Sequence, residues 1–217
     1  RGIFTHLNFS MTNNSVANLV EYDEATGVTT TTPQNIDGNW NVFGMFGINT
    51  ALDEGKFFTL NSYTIASYNN NVGYYFDRQI NESVKSKTRN LTLGQRLELG
   101  YRNDWFEASL NGNVNYNHSR NNVVKNNDLD TWNFSYGADF NIRLPWGTTI
   151  ATDISQNSRR GYAQSDMNTD ELLWNAQISH SFLRGNALTI ALEMNDILGE
   201  QSNISRVVNA MSSSDSR

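Results

Sequence analysis

The stretch RLELGYRNDWFEASLNGNVNY, residues 96–116, decides the fold class of this chain. Before the central Asn103–Asp104, Leu97 and Leu99 alternate with charged residues, and after it apolar residues again recur at every second position over much of the run. A period of two is typical of a β-strand with one apolar and one polar face. The stretch therefore predicts a β-hairpin, and the function depends on which solvent its apolar face meets.

Composition limits the classes of protein to which the chain can belong. It has 217 residues, 38% of them hydrophobic and 18% charged, and a formal net charge of −6. Lys and Arg are not clustered, so the chain lacks the basic surface that nucleic-acid phosphates require. The absence of cysteine excludes disulfides and thiolate metal sites. We expect neither a nucleic-acid partner nor a cofactor.

Alternating segments recur along the whole chain, and most of them are about 10–16 residues long. Strands in soluble proteins usually have about 5–6 residues, whereas a tilted strand that crosses a membrane needs about 9–11. The length therefore favours membrane-crossing strands. About nine are predicted, at residues 3–22, 39–52, 57–70, 86–101, 105–117, 131–144, 148–156, 171–182 and 187–195.

Short and long connections alternate between these strands. Tight turns on one side and long polar loops on the other are typical of outer-membrane barrels, whose turns face the periplasm and whose loops face outward. The predicted short turns are Asp53–Lys56, Asn103–Asp104, Pro145–Gly147 and Arg184–Asn186, and the predicted loops are 23–38, 69–85, 118–130 and 157–170.

The short turns also predict a register, because cross-strand partners should lie on the same face. A two-residue turn is expected at Asn103–Asp104, and three-residue turns at the next two sites. The segments 39–52 and 57–70 are ambiguous because apolar residues occupy both faces, so either both faces are covered or this register is wrong. The predicted pairs are Tyr101 with Phe106, Leu99 with Ala108, Ile142 with Ile150, and Ile178 with Leu192.

A soluble β-sandwich is the alternative to a membrane barrel, because packing two apolar faces together produces the same alternation. The apolar face of residues 91–101 and 132–144 carries no charge, as contact with lipid requires. Tryptophans near strand ends, such as Trp105 and Trp132, fit the two aromatic girdles of a barrel. We therefore predict an all-β fold, a transmembrane antiparallel up-and-down β-barrel with meander topology. Nine strands leave unpaired edges, so the chain is expected to supply part of a larger barrel.

Four segments resemble the C-terminal barrel region of TonB-dependent-receptor-like outer-membrane β-barrel proteins of Bacteroidetes. They are KFFTLNSYTIASYNNNVGYYF (56–76), the hairpin at 96–116, NIRLPWGTTIATDI (141–154) and LTIALEMNDILGEQSNISRVVNA (188–210). The resemblance implies a 22-stranded barrel in the bacterial outer membrane, closed by a plug domain and driven by TonB to import a nutrient. The nutrient could be a glycan, a peptide or a metal chelate. Residues 1–217 would form the C-terminal part of the barrel domain.

This sequence departs from that family in lacking a plug domain, a TonB-contacting box and a final strand that ends in an aromatic residue. The implied partners are outer-membrane lipid, the protein's own plug domain and remaining barrel strands, TonB and a surface lipoprotein. The alternative function is a non-transporting outer-membrane barrel that serves as a scaffold or subunit of a larger secretion or surface-lipoprotein complex.

Residues suited to catalysis or metal binding are scattered. The histidines are far apart, and the acidic segments 126–130 and 166–171 lack the spacing of a calcium loop, so we expect neither an enzyme nor a metal site. Two sets remain as contact sites. Lumen-facing residues that could contact a plug or a solute are Arg96, Glu98, Asn111, Asn113, Asn115, Asp139, Asn141 and Arg143. Extracellular loop residues suited to stacking and hydrogen bonding are Tyr74, Tyr75, Arg78, Arg159, Arg160 and Tyr162.

Overall fold

The computed structural model describes residues 2–124, 128–182 and 187–201, together with the backbone of 205–208 and 213–216. These residues form β-strands and one short 3-10 helix, Ser165–Met167. The strands are β1 (Gly2–Thr12), β2 (Ser15–Asp23), β3 (Val28–Ile36), β4 (Asn39–Ala51), β5 (Phe58–Asp77), β6 (Glu82–Arg102), β7 (Phe106–Asn121), β8 (Leu129–Arg143), β9 (Thr148–Arg160), β10 (Asp170–Phe182), β11 (Leu188–Met194), β12 (Ser205–Val208) and β13 (Ser213–Ser216).

Nine of these strands form one antiparallel sheet in the order β1, β4 and then β5 to β11. From β4 onward each strand pairs with the next in sequence, as in a meander. The predicted all-β, antiparallel architecture is confirmed. The main sheet has nine strands, whereas the described residues form thirteen strands in all. The sheet is open, because β1 and β11 each have one neighbour in it. The strands β2 with β3, and β12 with β13, form two separate hairpins.

The predicted first strand, 3–22, is wrong, because the chain turns between β1 and β2. Asn14 has a positive φ of 54°, and its backbone N–H donates to Asp37 Oδ1 at 2.6 Å. The predicted loop 23–38 contains β3, which pairs with β2 along its whole length. Its sequence VTTTTPQNI has no apolar alternation, so only the threonines' β propensity indicated a strand.

The predicted loop 69–85 is also wrong, because β5 and β6 continue through most of it as a paired ladder. They pair from Phe58 with Tyr101 as far as Asp77 with Glu82, which leaves only residues 78–81 as the turn. The asparagines of this segment suggested a loop, but backbone hydrogen bonds between long neighbouring strands outweigh their weak β propensity. The loops 118–130 and 157–170 are shortened in the same way, since β7 extends to Asn121 and β9 to Arg160.

Two of the three predicted registers are confirmed. Ile142 pairs with Ile150, and Ile178 pairs with Leu192, although the turn Arg184–Asn186 lies outside the described residues. At Pro145–Gly147, the Gly147 N–H donates to Leu144 O at 3.1 Å. Gly147 has a φ of +84°, which a bulged three-residue turn favours.

The third register, across Asn103–Asp104, is wrong by two residues. Tyr101 pairs with Ala108 instead of Phe106, and Leu99 pairs with Leu110. The turn is longer because the Asn103 side chain organises it. Its Oδ1 accepts the backbone N–H of Trp105 at 3.1 Å and of Phe106 at 2.7 Å. A shift of two preserves the faces, so face matching alone could not distinguish the two registers.

The apolar face of the sheet is the one that carries Leu97, Leu110, Phe140 and Ile178. These four side chains are 39–58% exposed, so no second layer formed by the described residues covers them. Among the described residues, the buried hydrophobic side chains are Ile36, Val72, Leu129 and Met167, all near the ends that carry the longer connections. The soluble-sandwich alternative requires the apolar face to be packed, and the described structure contradicts it.

Aromatic side chains lie in two bands on this face. Near the end with the longer connections, called the long-loop end, Tyr116 and Trp132 have ring centroids 4.5 Å apart. Near the opposite, short-turn end, the rings of Phe58 and Tyr101 are 4.9 Å apart. The long-loop band also contains Phe9, Trp40 and Tyr68, and the short-turn band contains Phe57, Trp105 and Phe106.

The opposite face of the sheet, called the polar face, explains the ambiguous segments 39–52 and 57–70. In β4 and β5 successive side chains alternate between the two faces of the sheet, and apolar side chains occur on both faces. On the polar face, the rings of Phe4 and Tyr63 lie 6.0 Å apart, and those of His6 and Phe43 lie 6.1 Å apart. Met45 and Ile65 are direct partners between them. Strands β1, β4 and β5 thus hold an apolar cluster on an otherwise polar surface.

In the described part of the chain, no helix is long and apolar enough to span a membrane.

Candidate functional site

The polar face carries paired charges near the short-turn end. Glu107 Oε1 accepts from Arg143 Nη2 at 2.8 Å and lies 3.1 Å from Arg102 Nε. One carboxylate therefore joins guanidinium groups from β6 and β8 across β7. These side chains are partly exposed, so the pairs fix side-chain positions more than they stabilise the fold.

A second group lies further along the same face. Asp139 Oδ2 accepts from Ser109 Oγ and from Asn111 Nδ2, both at 2.7 Å. Arg96 Nη2 lies 3.5 Å from Glu98 Oε2. The predicted lumen residues Arg96, Glu98, Asn111 and Asp139 therefore share one face with Arg143 and are linked to each other or to neighbouring strands.

The remaining predicted lumen residues line hollows on this face. Asn113 and Asn115 lie with Arg96 and Glu98 around a hollow of about 460 Å³ that also includes Tyr63. Asn141 lies beside Asp139 in a neighbouring hollow of about 580 Å³. The structure thus places all eight predicted lumen residues on the polar face. Their contact with a plug or a solute stays a prediction.

Some buried polar atoms on this face have no hydrogen-bond partner within the described chain. They are Asn61 Oδ1, Asn90 Oδ1, Ser119 Oγ and Asn141 Oδ1. The strand alternation places all four on the polar face. Buried polar groups are nearly always satisfied, so this face suits contact with water, a polar solute or a polar protein surface.

The long-loop end of the polar face is tightly packed. Asn121 Nδ2 donates to Ser86 Oγ at 3.0 Å and to Thr88 Oγ1 at 2.8 Å, and both acceptor residues are fully buried. Arg159 Nη1 lies 2.5 Å from Glu171 Oε1, and Glu171 is also buried. The alternating apolar pattern did not reveal this polar core, because its members are polar or charged. Ser86, Thr88 and Glu171 lie at the ends of predicted strands, whereas Asn121 and Arg159 lie in segments predicted to be loops.

A cleft of about 900 Å³ lies between the tips of two hairpins, β2 with β3 and β5 with β6. Asn81 Nδ2 bridges the hairpins by donating to Glu24 Oε1 at 3.1 Å. The Val20 N–H donates to Ser83 Oγ at 3.2 Å on the second hairpin. Sequence reasoning missed β3 and therefore missed this cleft. Its lining residues are Val20, Tyr22, Glu24, Thr29, Tyr75, Phe76, Arg78 and Asn81.

Two of the predicted loop residues, Tyr75 and Arg78, therefore meet in this cleft, while Tyr74 lies on the neighbouring part of β5. Aromatic rings and a guanidinium in an open cleft can stack on and hydrogen-bond a polar ligand. Near the cleft, Asp23 closes the β2 to β3 turn. Hydrogen bonds from the Thr26 hydroxyl and the Ala25 N–H lower the pKa of Asp23, so its carboxylate stays charged in the turn.

The other predicted loop residues are bonded within the chain. Arg160 Nη2 lies 2.7 Å from Asp170 Oδ2, and Arg159 pairs with Glu171 as described above. Tyr162 OH donates to Asn133 Oδ1 at 3.1 Å. These contacts hold the connection between β9 and β10 in place. The structure does not bring Arg159, Arg160 and Tyr162 into the cleft of Tyr75 and Arg78.

A cluster of titratable side chains lies at the same end. His118 Nδ1 lies 2.5 Å from Asp130 Oδ1, and the Tyr116 hydroxyl donates to the same carboxylate at 2.7 Å. The three lie on the apolar face, whereas the neighbouring Ser119 lies on the polar face. Within the described residues, no three His, Asp or Glu side chains are grouped as metal ligands. Residues 126 and 127 belong to the acidic segment 126–130, which was not expected to bind calcium, and they lie outside the described residues.

Comparison with known proteins agrees with this geometry. A family model described as an outer membrane protein beta-barrel family matches residues 101–217, more than half of the chain. The search of curated proteins found no match. The search of solved structures found none either. A barrel wall of this kind accounts for exposed apolar side chains between two aromatic bands, since lipid is the solvent they meet. The chain belongs to this family of outer-membrane β-barrel proteins and is located in the bacterial outer membrane.

Proposed function

We propose that this chain forms part of the wall of a transport barrel, a TonB-dependent-receptor-like protein that imports a nutrient. The nutrient would be a glycan, a peptide or a metal chelate. The observation that carries the proposal is the contrast between the two faces. The apolar face is uncharged between its aromatic bands, whereas the polar face holds amides, hydroxyls and paired charges along its length. Four buried polar atoms on the polar face have no partner among the described residues.

The open sheet supports a larger assembly. An unpaired strand edge is unfavourable in hydrocarbon, where no water satisfies the backbone N–H and C=O groups. Strands β1 and β11 each have such an edge. Further strands of the same protein would close the barrel, and a plug domain would contact the polar face. TonB and a surface lipoprotein complete the proposed set of partners.

The cleft between the two hairpin tips is the proposed entry site for the solute. It lies at the long-loop end, which faces outward in outer-membrane barrels. Tyr75 and Arg78 would contact the incoming solute there. Stacking and bidentate hydrogen bonding suit sugars, peptides and the polar surfaces of metal chelates equally. The two residues therefore indicate how a solute would be contacted, and they do not select one of these three classes.

Growth of the source bacterium tests import. A strain that lacks the full-length gene is compared with wild type on single glycans, peptides or metal chelates as the limiting nutrient. Import predicts loss of growth on one class, and the same loss when TonB is removed. Growth that is unchanged on every class would contradict the proposal.

A pair of variants tests the cleft within the full-length protein. The double variant Tyr75→Ala/Arg78→Ala should raise the nutrient concentration needed for half-maximal uptake about tenfold, because the two changes remove a stacking group and a charged donor. Gln79→Ala is the matched control, since Gln79 lies exposed in the same turn but does not line the cleft. Equal uptake by both variants would exclude the cleft as the entry site.

A non-transporting barrel is the second candidate function, as a scaffold or subunit of a larger secretion or surface-lipoprotein complex. The apolar cluster of Phe4, Phe43, Tyr63 and Ile65 on the polar face favours it, since such a surface suits a protein better than a hydrated channel. This function predicts a bound subunit that survives purification in detergent, together with unchanged nutrient uptake in the deletion strain. Uptake lost without such a subunit would exclude it.

A further inference from the structure

A column of cations lies on the apolar side of β6, directly beyond the lipid-facing residues. From Tyr101 to Leu91 this face of the strand carries no charge, and the next three residues on it are Arg89, Lys87 and Lys85. All three are exposed, while the intervening Ser86 and Thr88 are fully buried. Arg89 lies about 7 Å from Leu91 along the strand, on the side away from Tyr101. The change from apolar to cationic is therefore abrupt.

The column lies at the membrane boundary. Leu91 pairs with His118, and Leu93 pairs with Tyr116, whose ring packs on Trp132 in the aromatic band of the long-loop end. Aromatic girdles mark the level of the lipid headgroups in barrels. Arg89 and Lys87 therefore project from the barrel wall at the height of the headgroups, where a membrane lipid is the most accessible ligand.

Two of these cations have no counter-ion among the residues that the structure describes. In the part of the chain that the structure describes, neither Arg89 nor Lys87 forms an ion pair. Arg89 is also the direct cross-strand partner of Arg120. Like charges placed directly opposite each other destabilise a sheet unless an anion lies between them. Arg120 has two carboxylates beside it, Asp130 Oδ2 at 3.2 Å and Asp128 Oδ2 at 4.0 Å, whereas Arg89 has none among the described residues. Arg89 and Lys87 are therefore the main cationic groups of the column.

The backbone that presents the cations is fixed from both sides. The Lys87 N–H donates to Asn122 Oδ1 at 2.5 Å, and the Asn122 N–H donates to Lys87 O at 3.2 Å. On the polar face, Asn121 Nδ2 holds Ser86 and Thr88. The two cations thus project from a paired strand with a packed inner side. The backbone beneath both cations is therefore ordered before an anion binds, so binding orders only the two side chains.

We propose that Arg89 and Lys87, with Arg120 beside them, bind a phosphate group on the headgroup of an outer-leaflet glycolipid. A guanidinium binds phosphate through two parallel hydrogen bonds, and the lysine adds a point charge. The phosphate would lie between Arg89 and Arg120 and would offset the repulsion between these two cross-strand partners. The acyl chains of the same lipid would lie along the apolar side chains below, from Leu91 towards Leu97.

Lipid retention by the purified full-length protein tests this site. The protein in detergent is titrated with a glycolipid that carries a phosphomonoester, with the same lipid after removal of its phosphate, and with inorganic phosphate, and binding is followed by native mass spectrometry. The site predicts at least tenfold tighter binding of the phosphorylated lipid than of the dephosphorylated lipid. Equal binding of the two lipids would overturn the proposal without the need for any variant. Inorganic phosphate that binds as tightly as the lipid would show a general anion site and would also overturn it.

Variants then assign the binding to the column. Arg89→Gln should weaken binding of the phosphorylated lipid about tenfold, since it removes a charged bidentate donor. Arg89→Lys should have an intermediate effect, because it keeps the charge and loses the second hydrogen bond. The matched control is Lys56→Gln, which removes one exposed cation at the short-turn end and should change binding less than twofold. Equal losses in Arg89→Gln and Lys56→Gln would contradict the assignment.

Discussion

Arg159 Nη1 lies 2.5 Å from Glu171 Oε1, and Glu171 is only 4% exposed. This ion pair joins β9 to β10 on the polar face at the long-loop end. It therefore connects the sheet to the packed base of the connection between β9 and β10. The neighbouring pair, Arg160 with Asp170, joins the same two strands on the opposite face but remains in solvent.

Replacement of Glu171 should therefore be costly. Glu171→Ala leaves the partly buried Arg159 charge without its carboxylate and should lower the free energy of unfolding by about 3 kcal/mol. Asp170→Ala is the matched control, because the side chains of Arg160 and Asp170 are 45% and 56% exposed. An exposed pair should contribute less than about 1 kcal/mol. Urea unfolding of the full-length protein in lipid vesicles measures both values. Similar losses in the two variants would show that burial does not distinguish the pairs.

A charge on the apolar face tests whether lipid is its solvent. Leu110 is 58% exposed and lies between the two aromatic bands. Leu110→Arg should lower the free energy of unfolding by about 2–4 kcal/mol in a bilayer, because the arginine enters hydrocarbon. The same change on a water-exposed surface would cost less than about 0.5 kcal/mol. Ser135→Arg, on the polar face of the adjacent strand, is the control and should have a small effect. Unfolding in vesicles distinguishes these outcomes, and a negligible loss for Leu110→Arg would place this face in water.

Cysteine labelling tests the orientation of the sheet. Asp104 lies in a short turn, and Gln79 lies in the turn at the opposite end of β6. Asp104→Cys should react with a membrane-impermeant maleimide only after the outer membrane is opened, whereas Gln79→Cys should react in intact cells. The chain has no cysteine of its own, so the unmodified protein is the blank. The reverse labelling pattern would contradict the assignment of the long-loop end to the cell surface.

The turn between β4 and β5 should depend on pH. The N–H groups of Phe58 and Phe57 donate to the two Asp53 carboxylate oxygens at 2.7 and 3.1 Å, and the Phe58 bond does most to lower the Asp53 pKa. A carboxyl with a lowered pKa stabilises the fold above its ordinary pKa of about 4 and loses that effect as the pH falls through the lowered value. The stability difference between wild type and Asp53→Ala should therefore be largest at neutral pH and should shrink in acid. Unfolding measured at a series of pH values would show a constant difference if the carboxylate had no role.

The polar face and most of the strands were predictable because the solvent that a side chain meets, lipid or water, limits the residue types that can occupy its position. In β6 to β11, every second residue faces lipid, and charge is excluded from those positions between the aromatic bands. Any sequence with that constraint shows the period of two. The three-residue turn Pro145–Gly147 was predictable from its glycine, since the positive φ at its last position favours that residue.

The register across Asn103 was not predictable from face matching, because a shift of two residues keeps every side chain on its own face. The side chain of Asn103 decides the length of the turn by accepting two backbone N–H groups. Strand β3 was missed because its threonines carry no apolar pattern. Its pairing with β2 depends on backbone hydrogen bonds and on contact with the tips of β5 and β6.

By itself, the sequence determined an antiparallel sheet of long strands with one face for lipid, because the cost of placing charge in hydrocarbon acts on each residue separately. Only the tertiary structure decided which side chains meet. Three features each depend on strand register and on how far the strands extend. They are the cleft of Tyr75 and Arg78, the buried pair of Arg159 and Glu171, and the cross-strand pairing of Arg89 with Arg120. Register is set by turn geometry and by hydrogen bonds between residues distant in sequence, and a local pattern does not contain them.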